Sequence, residues 1–248
     1  MTGILVVTGA SRGIGAATAV LGAKHGLAVA VNYNSSPDRA AQVVAEIREN
    51  GGTAEAIQAD VSTEAGAEAL FEQVDAKMGR VTALFNNAGI IQKNALIADY
   101  TADMVNEQLT INVTSQFLCA REAISRMSTS TGGSGGAIVN MSSAAAKLGG
   151  GGALLAYAAS KGAIDTLTKG LAAETAKQGI RVNAVRPGLI ETEIHDGTGD
   201  LNRVNNLMSG VPMGRAGTAQ EVAEAVIWLL SPEASYVTDT IVDVSGGR

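Results

Sequence analysis

The amino-acid sequence predicts an α/β protein built on a doubly wound parallel sheet, with helices on both faces, and three observations carry that expectation. Short apolar runs alternate with longer helical patterns along all 248 residues, which is the order of βα units. Several of those runs lack polar alternation, as strands covered on both faces do. No linker and no repeat of fixed period divides the chain, so 1–248 reads as one domain, long enough to bury a large core.

The strand candidates are Ile4 to Val7, Ala28 to Asn32, Ala54 to Ala59, Ala83 to Asn86, Ala137 to Met141, Arg181 to Val185 and Thr240 to Val244. The first runs into Thr8-Gly9-Ala10-Ser11-Arg12-Gly13-Ile14-Gly15 and then into small residues that start a helix. Glycines let the backbone approach a ligand, and free N–H groups at a helix start can hold a pyrophosphate. These glycines fall at 9, 13 and 15 rather than in the usual G-x-G-x-x-G, but their place between strand and helix favours a dinucleotide over a plain turn.

Asn32 stands after the second strand, where enzymes that use NAD usually carry a carboxylate for the ribose 2′-hydroxyl. Polar Asn32 and Ser35, with Arg12 or Arg39 as cations, suit a 2′-phosphate better, so NADP is expected, with NAD as the alternative. The third strand ends in Asp60-Val61, where Asp60 either accepts from the adenine amine or caps the helix opening near Ser62. The fourth ends in Asn86-Asn87-Ala88-Gly89, at an edge where open α/β sheets bind ligands and where asparagine turns are also common.

Asn112 interrupts a helical stretch from about 103 to 126. A poor helix former there should bend the helix, and it either holds a water or is a satisfied buried polar group. The fifth strand delivers Ser142 and Ser143, and a hydroxyl there can hydrogen-bond a reacting carbonyl oxygen. No acid and histidine stand at matching positions, which excludes a hydrolase triad.

Tyr157 and Lys161 lie four apart in Y-A-A-S-K, on one helical face that continues through Ile164, Thr168 and Leu171. A lysine in an inward stripe needs a reason, and a proton-handling pair is one. A free phenol ionises near pH ~10, and lowering that by about three units takes roughly 4 kcal/mol, which a desolvated cation and a positively charged nicotinamide together can supply. After the sixth strand, Arg186-Pro187-Gly188-Leu189-Ile190-Glu191-Thr192 leads into a stretch rich in glycine and asparagine; residues of about 189–212 read as a substrate lid loop. His195 and Asp196 within it read as exposed polar residues.

The bulk numbers exclude several function classes. A net charge of −6 and a pI near 5.0 leave no electrostatic footprint for nucleic acid or an anionic membrane. With Cys119 alone and two histidines, no disulfide framework and no metal site are expected. No leader and no apolar run of ~20 residues is evident, so a cytoplasmic protein is expected. Apolar faces around 104–127 and 153–175 suit a homo-oligomer, a dimer or tetramer.

Taken in order, T-G-A-S-R-G-I-G at 8–15, Asp60-Val61, N-N-A-G at 86–89, Asn112, Ser143, Y-A-A-S-K at 157–161 and P-G-L-I-E-T at 187–192 resemble the short-chain dehydrogenase/reductase family over essentially the whole chain. The resemblance implies one Rossmann-like domain of about seven strands, a nicotinamide cofactor and no metal. It implies Tyr157 as general acid/base, Lys161 as the residue that lowers its pKa and binds the nicotinamide ribose, and Ser143 as the group orienting the substrate oxygen. It further implies that Asn112 holds a water linking Lys161 to solvent and that Thr192 contacts the carboxamide. The implied cofactor contacts are Gly9, Ser11, Arg12, Gly13, Ile14, Gly15, Asn32, Ser35, Asp60, Val61, Asn87, Ala88, Gly89, Tyr157, Lys161, Pro187, Gly188, Ile190 and Thr192.

The nearest branches resemble glucose 1-dehydrogenase and 3-oxoacyl-carrier-protein reductase. The segment Ser128-Thr129-Ser130-Thr131-Gly132-Gly133-Ser134 lacks the cations that would dock an acidic carrier protein, although Lys177 and Arg181 remain as candidates. The expected activity is therefore NADP-dependent interconversion of a carbonyl and a secondary alcohol on a small polar substrate such as a sugar. The alternatives are the carrier-protein reductase and a non-catalytic NADP(H)-binding regulatory protein. Ile90, Ile91, Gln92, Ala144, Leu155 and Leu189 are the expected pocket walls. Two departures stand out: Thr238-Asp239 where relatives often carry Thr-Gly, near the cofactor, and one extra residue between Ser143 and Tyr157, which should reshape the pocket through Gly149 to Gly152.

Overall fold

The computed structural model describes residues 1, 3–200 and 202–248; the side chain of His195 lies outside the described residues. Along the chain, β1 (Ile4–Val7), α1 (Gly13–Lys24), β2 (Ala28–Tyr33), α2 (Pro37–Glu49), β3 (Ala54–Gln58) and α3 (Glu64–Lys77) form the first half of the sheet. The second half is β4 (Ala83–Asn86), α4 (Ala102–Leu109), α5 (Ser115–Met127), β5 (Gly136–Met141), α6 (Ala145–Leu148), α7 (Leu155–Thr175), β6 (Ile180–Pro187), α8 (Arg203–Leu207), α9 (Ala219–Leu230) and β7 (Ile241–Val244). The seven strands pair in the order β3-β2-β1-β4-β5-β6-β7, and every pairing is parallel. The chain winds outward from β1 to β3, then returns to the other side of β1 as β4. That reversal opens a crevice at the carboxyl ends of β1 and β4, where open α/β sheets bind ligands.

Burial on both faces follows from the strand sequences. Leu5 and Val7 of β1 pack with α1, α2 and α9 through residues such as Ala19, Ile47 and Val226. Ile4 and Val6, pointing the other way, pack with α3 and α5 through Leu70, Phe71 and Met127. All four β1 residues are apolar because neither face meets water.

The expected strand positions hold, with shifted ends. β6 extends through Pro187 because it pairs with β5 along its first part and with β7 along its last. A larger difference concerns the stretch of 189–212. It is not a bare loop but holds a short 3-10 turn at Glu193–Thr198, then α8, then another turn at Met208–Gly210. Leu189, Val211 and Ala216 are buried together with Val204 and Leu207 against them, which gives this segment a small core of its own.

Asp239 has φ 59, the one non-glycine residue of positive φ among those described. Glycine takes that backbone without strain, so the departure from Thr-Gly is a local conformational matter. The pair also lies at the amino end of β7, bonded to Val182 and away from the cofactor edge, which corrects the expectation that it sits near the cofactor.

Candidate active site

The glycine turn after β1 is held by side chains from two neighbouring strands. The Thr8 hydroxyl accepts from the Asn87 and Ala88 N–H groups, both at 2.9 Å. Asn87 Nδ2 donates back to the carbonyls of Thr8 at 2.8 Å and Gly9 at 3.1 Å. Gly15 is the tightest point: a Cβ there would stand 2.6 Å from Asn87 Nδ2 and 2.7 Å from the Gly9 carbonyl. This leaves bare backbone at the start of α1, a cradle suited to a pyrophosphate.

From the turn a cleft of about 470 Å³ runs along the carboxyl edge. Every cofactor contact implied by the resemblance lines it, as does Ser143, while Arg39, the other cation offered for a 2′-phosphate, does not. Asn112 does not. It is fully buried behind the wall, where Oδ1 accepts from the Ile90 N–H at 2.8 Å and Nδ2 donates to the Ile90 carbonyl and the Ser160 hydroxyl. Ser160 in turn donates to the Tyr157 carbonyl at 2.6 Å, so Asn112 ties the turn after β4 to the helix that carries Tyr157. It lies in a π-helical turn, Thr110–Thr114, between α4 and α5, the bend its position predicts. Of the two expected roles, the satisfied buried polar group is the one these bonds describe. Asn112→Ala would strip the Ile90 N–H of its acceptor and should cost about 1–3 kcal/mol, seen as a lower urea midpoint with an unchanged slope.

Other expectations change. Asn32 is buried, and its side chain accepts from the Gly9 N–H while donating to the Ile57 and Ala59 carbonyls. It shapes the cleft by fixing the glycine turn and is not free for the ribose; the neighbouring groups at that end are Tyr33, Asn34 and Ser35. Asp60 Oδ1 accepts from the Ser62 N–H and hydroxyl, while the cap of α3 is Thr63, which accepts from Gly66. Arg12 and Arg39 both meet the Glu193 carboxylate, at 3.2 and 2.5 Å. Arg39 first, then Arg12, holds that exposed carboxyl below its usual pKa. Of the expected pocket walls, Gln92 points to Glu107, and Leu155 is 46% exposed and outside the cleft, while Gly150 and Gly151 line it as the longer spacing suggests.

The end of the cleft that holds Tyr157 and Lys161 is densely bonded. Lys161 is 2% exposed, and its ammonium donates to the Met141 carbonyl at 2.8 Å. Burial pushes its pKa down to about 8, against a smaller opposing pull from Asp165. Asp165 itself pairs with Arg186 at 2.6 Å and accepts from Ser142, so of the two serines at the end of β5 Ser142 belongs to the scaffold. Ser143 stands beside the Tyr157 phenol, close enough to favour its ionised form. Burial raises the phenol above its usual value, while Ser143 and the charge of Arg203 pull it down. The expected depression by Lys161 is not what this geometry gives. The ammonium sits 5.6 Å from the ring centroid and is directed at a carbonyl, so desolvation dominates without a nicotinamide charge.

The sequence missed three charged residues in the cleft wall: Glu193, Arg203 and Arg248. They come from a segment without regular periodicity and from the last residue of the chain, so only tertiary placement brings them to the site. Among the described residues no group of three or more His, Cys, Asp or Glu is placed to hold a metal ion.

Comparison with known proteins adds the deciding observation. Residues 9–248 match the family model described as enoyl-(acyl carrier protein) reductase. A short-chain dehydrogenase/reductase from Serratia marcescens superposes with a TM-score of 0.91 at 33% identity, covering 99% of this chain and 97% of that one. The chain belongs to the short-chain dehydrogenase/reductase family. Among its relatives, the uncharacterized oxidoreductase YgfF of Escherichia coli (strain K12) is 51% identical over 245 residues, 99% of each chain. Glucose 1-dehydrogenase 2 of Bacillus subtilis (strain 168) is 36% identical, covering 98% of this chain and 93% of its own. The 3-oxoacyl-(acyl-carrier-protein) reductase FabG of Staphylococcus aureus (strain Mu50 / ATCC 700699) is also 36% identical, over 100% and 98%. A blue fluorescent protein from a metagenomic library, solved in complex with NADPH, superposes with a TM-score of 0.90 at 34% identity, covering 99% and 97%. This short-chain dehydrogenase/reductase is an oxidoreductase with a Rossmann-like fold.

Proposed function

We propose that this short-chain dehydrogenase/reductase interconverts a carbonyl and a secondary alcohol on a small polar substrate, with NADP(H) preferred over NAD(H). The observation that carries the reading is a single cleft that joins the glycine turn to Tyr157, Ser143 and Lys161. The turn and the start of α1 would hold the pyrophosphate, Asp60 and Val61 the adenine, and Lys161 the nicotinamide ribose. Bound there, the nicotinamide supplies or accepts the hydride. Ser143 orients the substrate oxygen, and Tyr157 gives it a proton in reduction or takes one in oxidation.

The preference for NADP rests on charge. No carboxylate stands at the end of β2, Arg12 lines the cleft, and Arg39 joins it at Glu193, which both arginines meet. Their pairs with Glu193 are exposed and therefore weak, and a 2′-phosphate carrying a second charge would displace that carboxylate. Arg39→Ala should lower kcat/KM for NADPH by about 10–100-fold and leave that for NADH nearly unchanged, as read from nicotinamide absorbance.

Two features argue against an acyl carrier protein as the substrate's carrier. The segment after α5 is uncharged, and the Arg181 guanidinium is taken up by the carbonyls of Leu229, Ser231 and Val237. The 189–212 segment would close over the substrate as a lid. A homo-oligomer, dimer or tetramer, in the cytoplasm belongs to the same proposal, supported by Phe117 on α5 and Leu155 on α7, which stand 52% and 46% exposed. Among the described residues no helix is long and apolar enough to cross a membrane.

The test is nicotinamide absorbance with both cofactors against a panel of sugars, ketones and 3-oxoacyl thioesters. Turnover with NADP(H) supports the reading. Tight NADPH binding with no turnover on any class would favour the regulatory alternative instead.

A further inference from the structure

Arginines in this protein are nearly all satisfied. Arg12, Arg39, Arg48, Arg121, Arg126, Arg186 and Arg215 meet carboxylates, and Arg80, Arg181 and Arg248 donate to carbonyls. The exception is Arg203. Its guanidinium makes no hydrogen bond or ion pair among the described residues, yet it is part-buried and lines the cleft beside the catalytic residues. Asp200, the carboxylate whose charge reaches Arg203, accepts from the Asn202 N–H at 3.0 Å and from Asn206 Nδ2 at 3.3 Å, which holds it in the turn before α8.

The surroundings sharpen the exception. Burial and the neighbouring charge of Arg248 both work against the charged form of Arg203, while the field of Arg203 reaches the Tyr157 hydroxyl. Arg248 lines the same cleft, and its one bond, to the Leu207 carbonyl at 3.4 Å, is long. Two cations, Arg203 and Arg248, thus line one cleft together with the apolar Leu189, Ile194 and Leu207. A part-desolvated guanidinium without a partner is unfavourable, and the missing group is an anion held by charge-assisted hydrogen bonds. The function proposed above gives the cofactor's 2′-phosphate to Arg12 and Arg39, which share Glu193 with one another and not with Arg203.

We propose that the substrate carries its own anionic group, a carboxylate or a phosphate ester, which Arg203 receives with Arg248 beside it while the carbonyl lies against Tyr157 and Ser143. The inference rests on the oxidoreductase reading above and narrows its substrate from a neutral sugar to an anionic carbonyl or hydroxy compound. Arg203 is then a specificity-determining residue: it selects what is bound and takes no part in proton or hydride transfer.

The test loads the protein with NADP⁺, which cannot reduce a carbonyl, and titrates matched pairs by calorimetry, with absorbance at the reduced nicotinamide band checking that no hydroxyl is oxidised. The pairs are acetoacetate with acetoacetamide, 4-oxopentanoate with its amide, and dihydroxyacetone phosphate with dihydroxyacetone. In at least one pair the anion should bind about 10–100-fold more tightly than its neutral partner, and which pair responds distinguishes carboxylate from phosphate. Arg203→Met should erase most of that preference with the neutral partner changed less than about twofold, and Arg203→Lys should restore part of it. Equal binding within all three pairs, or a preference that survives Arg203→Met, would overturn the inference while NADP⁺ still binds. Failure of NADP⁺ itself to bind would sink the oxidoreductase reading and this inference together.

Discussion

Tyr157→Phe is expected to lower kcat by about 10²–10⁴-fold, the range for losing a positioned general acid, while NADPH affinity stays within a few-fold. The substitution removes one oxygen and leaves the ring, which packs with Ile91 and Leu154, so the fold should be kept. The size of the loss follows from what surrounds the hydroxyl. It is buried and stands beside Ser143, where the substrate oxygen would lie in the proposed reaction. Because burial holds the phenol above its usual pKa, the group is protonated at neutrality and ready to donate in reduction. Reduction should therefore slow as pH rises through the phenol's pKa, and oxidation, which needs the phenolate, should quicken over the same range. A cationic nicotinamide would shift the oxidation profile to lower pH.

Lys161→Met should separate activity from stability. Activity should fall by at least about 100-fold, because in the proposed complex the nicotinamide ribose would lose the cation that holds it. Stability, in contrast, should rise. The folded protein lowers the lysine pKa from 10.5 to about 8, so below pH 8 the charged side chain is held at a cost on the order of 3 kcal/mol relative to the unfolded chain. Methionine has a similar length and no charge, and the Met141 carbonyl keeps Gln116 Nε2 as a donor at 3.3 Å. Tm should increase by roughly 6–12 °C near pH 7. The sign of the pH dependence is fixed by linkage. Between about 8 and 10.5 the unfolded chain binds more protons than the native one, so the wild type recovers stability as pH rises there, and the gap to Lys161→Met closes. Thermal melts of both proteins across that window check it, and a variant less stable at pH 7 would contradict it.

Much of this architecture is written locally. Strand β1 could be read from four apolar residues and the glycines behind them, because burial on both faces forbids polar alternation and the turn forbids side chains. Tyr157 and Lys161 could be paired from their spacing because a helix converts that spacing into adjacency. Asn112 was legible as a bend, but its partners, Ile90 and Ser160, are 22 and 48 residues away and carry no sequence mark. Asn32 was placed at the right end of the cleft with the wrong assignment, since which way an amide donates depends on carbonyls of β3 and the turn after it. Arg203 was invisible for a different reason. A lone arginine in an irregular segment reads as solvated, and what singles it out is the lack of a partner among the described residues once ten other arginines have found theirs.

The most direct measurement of the central claim is the pH dependence of hydride transfer in both directions, followed by nicotinamide absorbance on the wild type and on Tyr157→Phe. A reduction rate that falls and an oxidation rate that rises with pH, both vanishing in the variant, is the expected result. Turnover at wild-type rate in Tyr157→Phe would contradict the assignment of Tyr157 as the proton donor and, with it, the reading of the cleft.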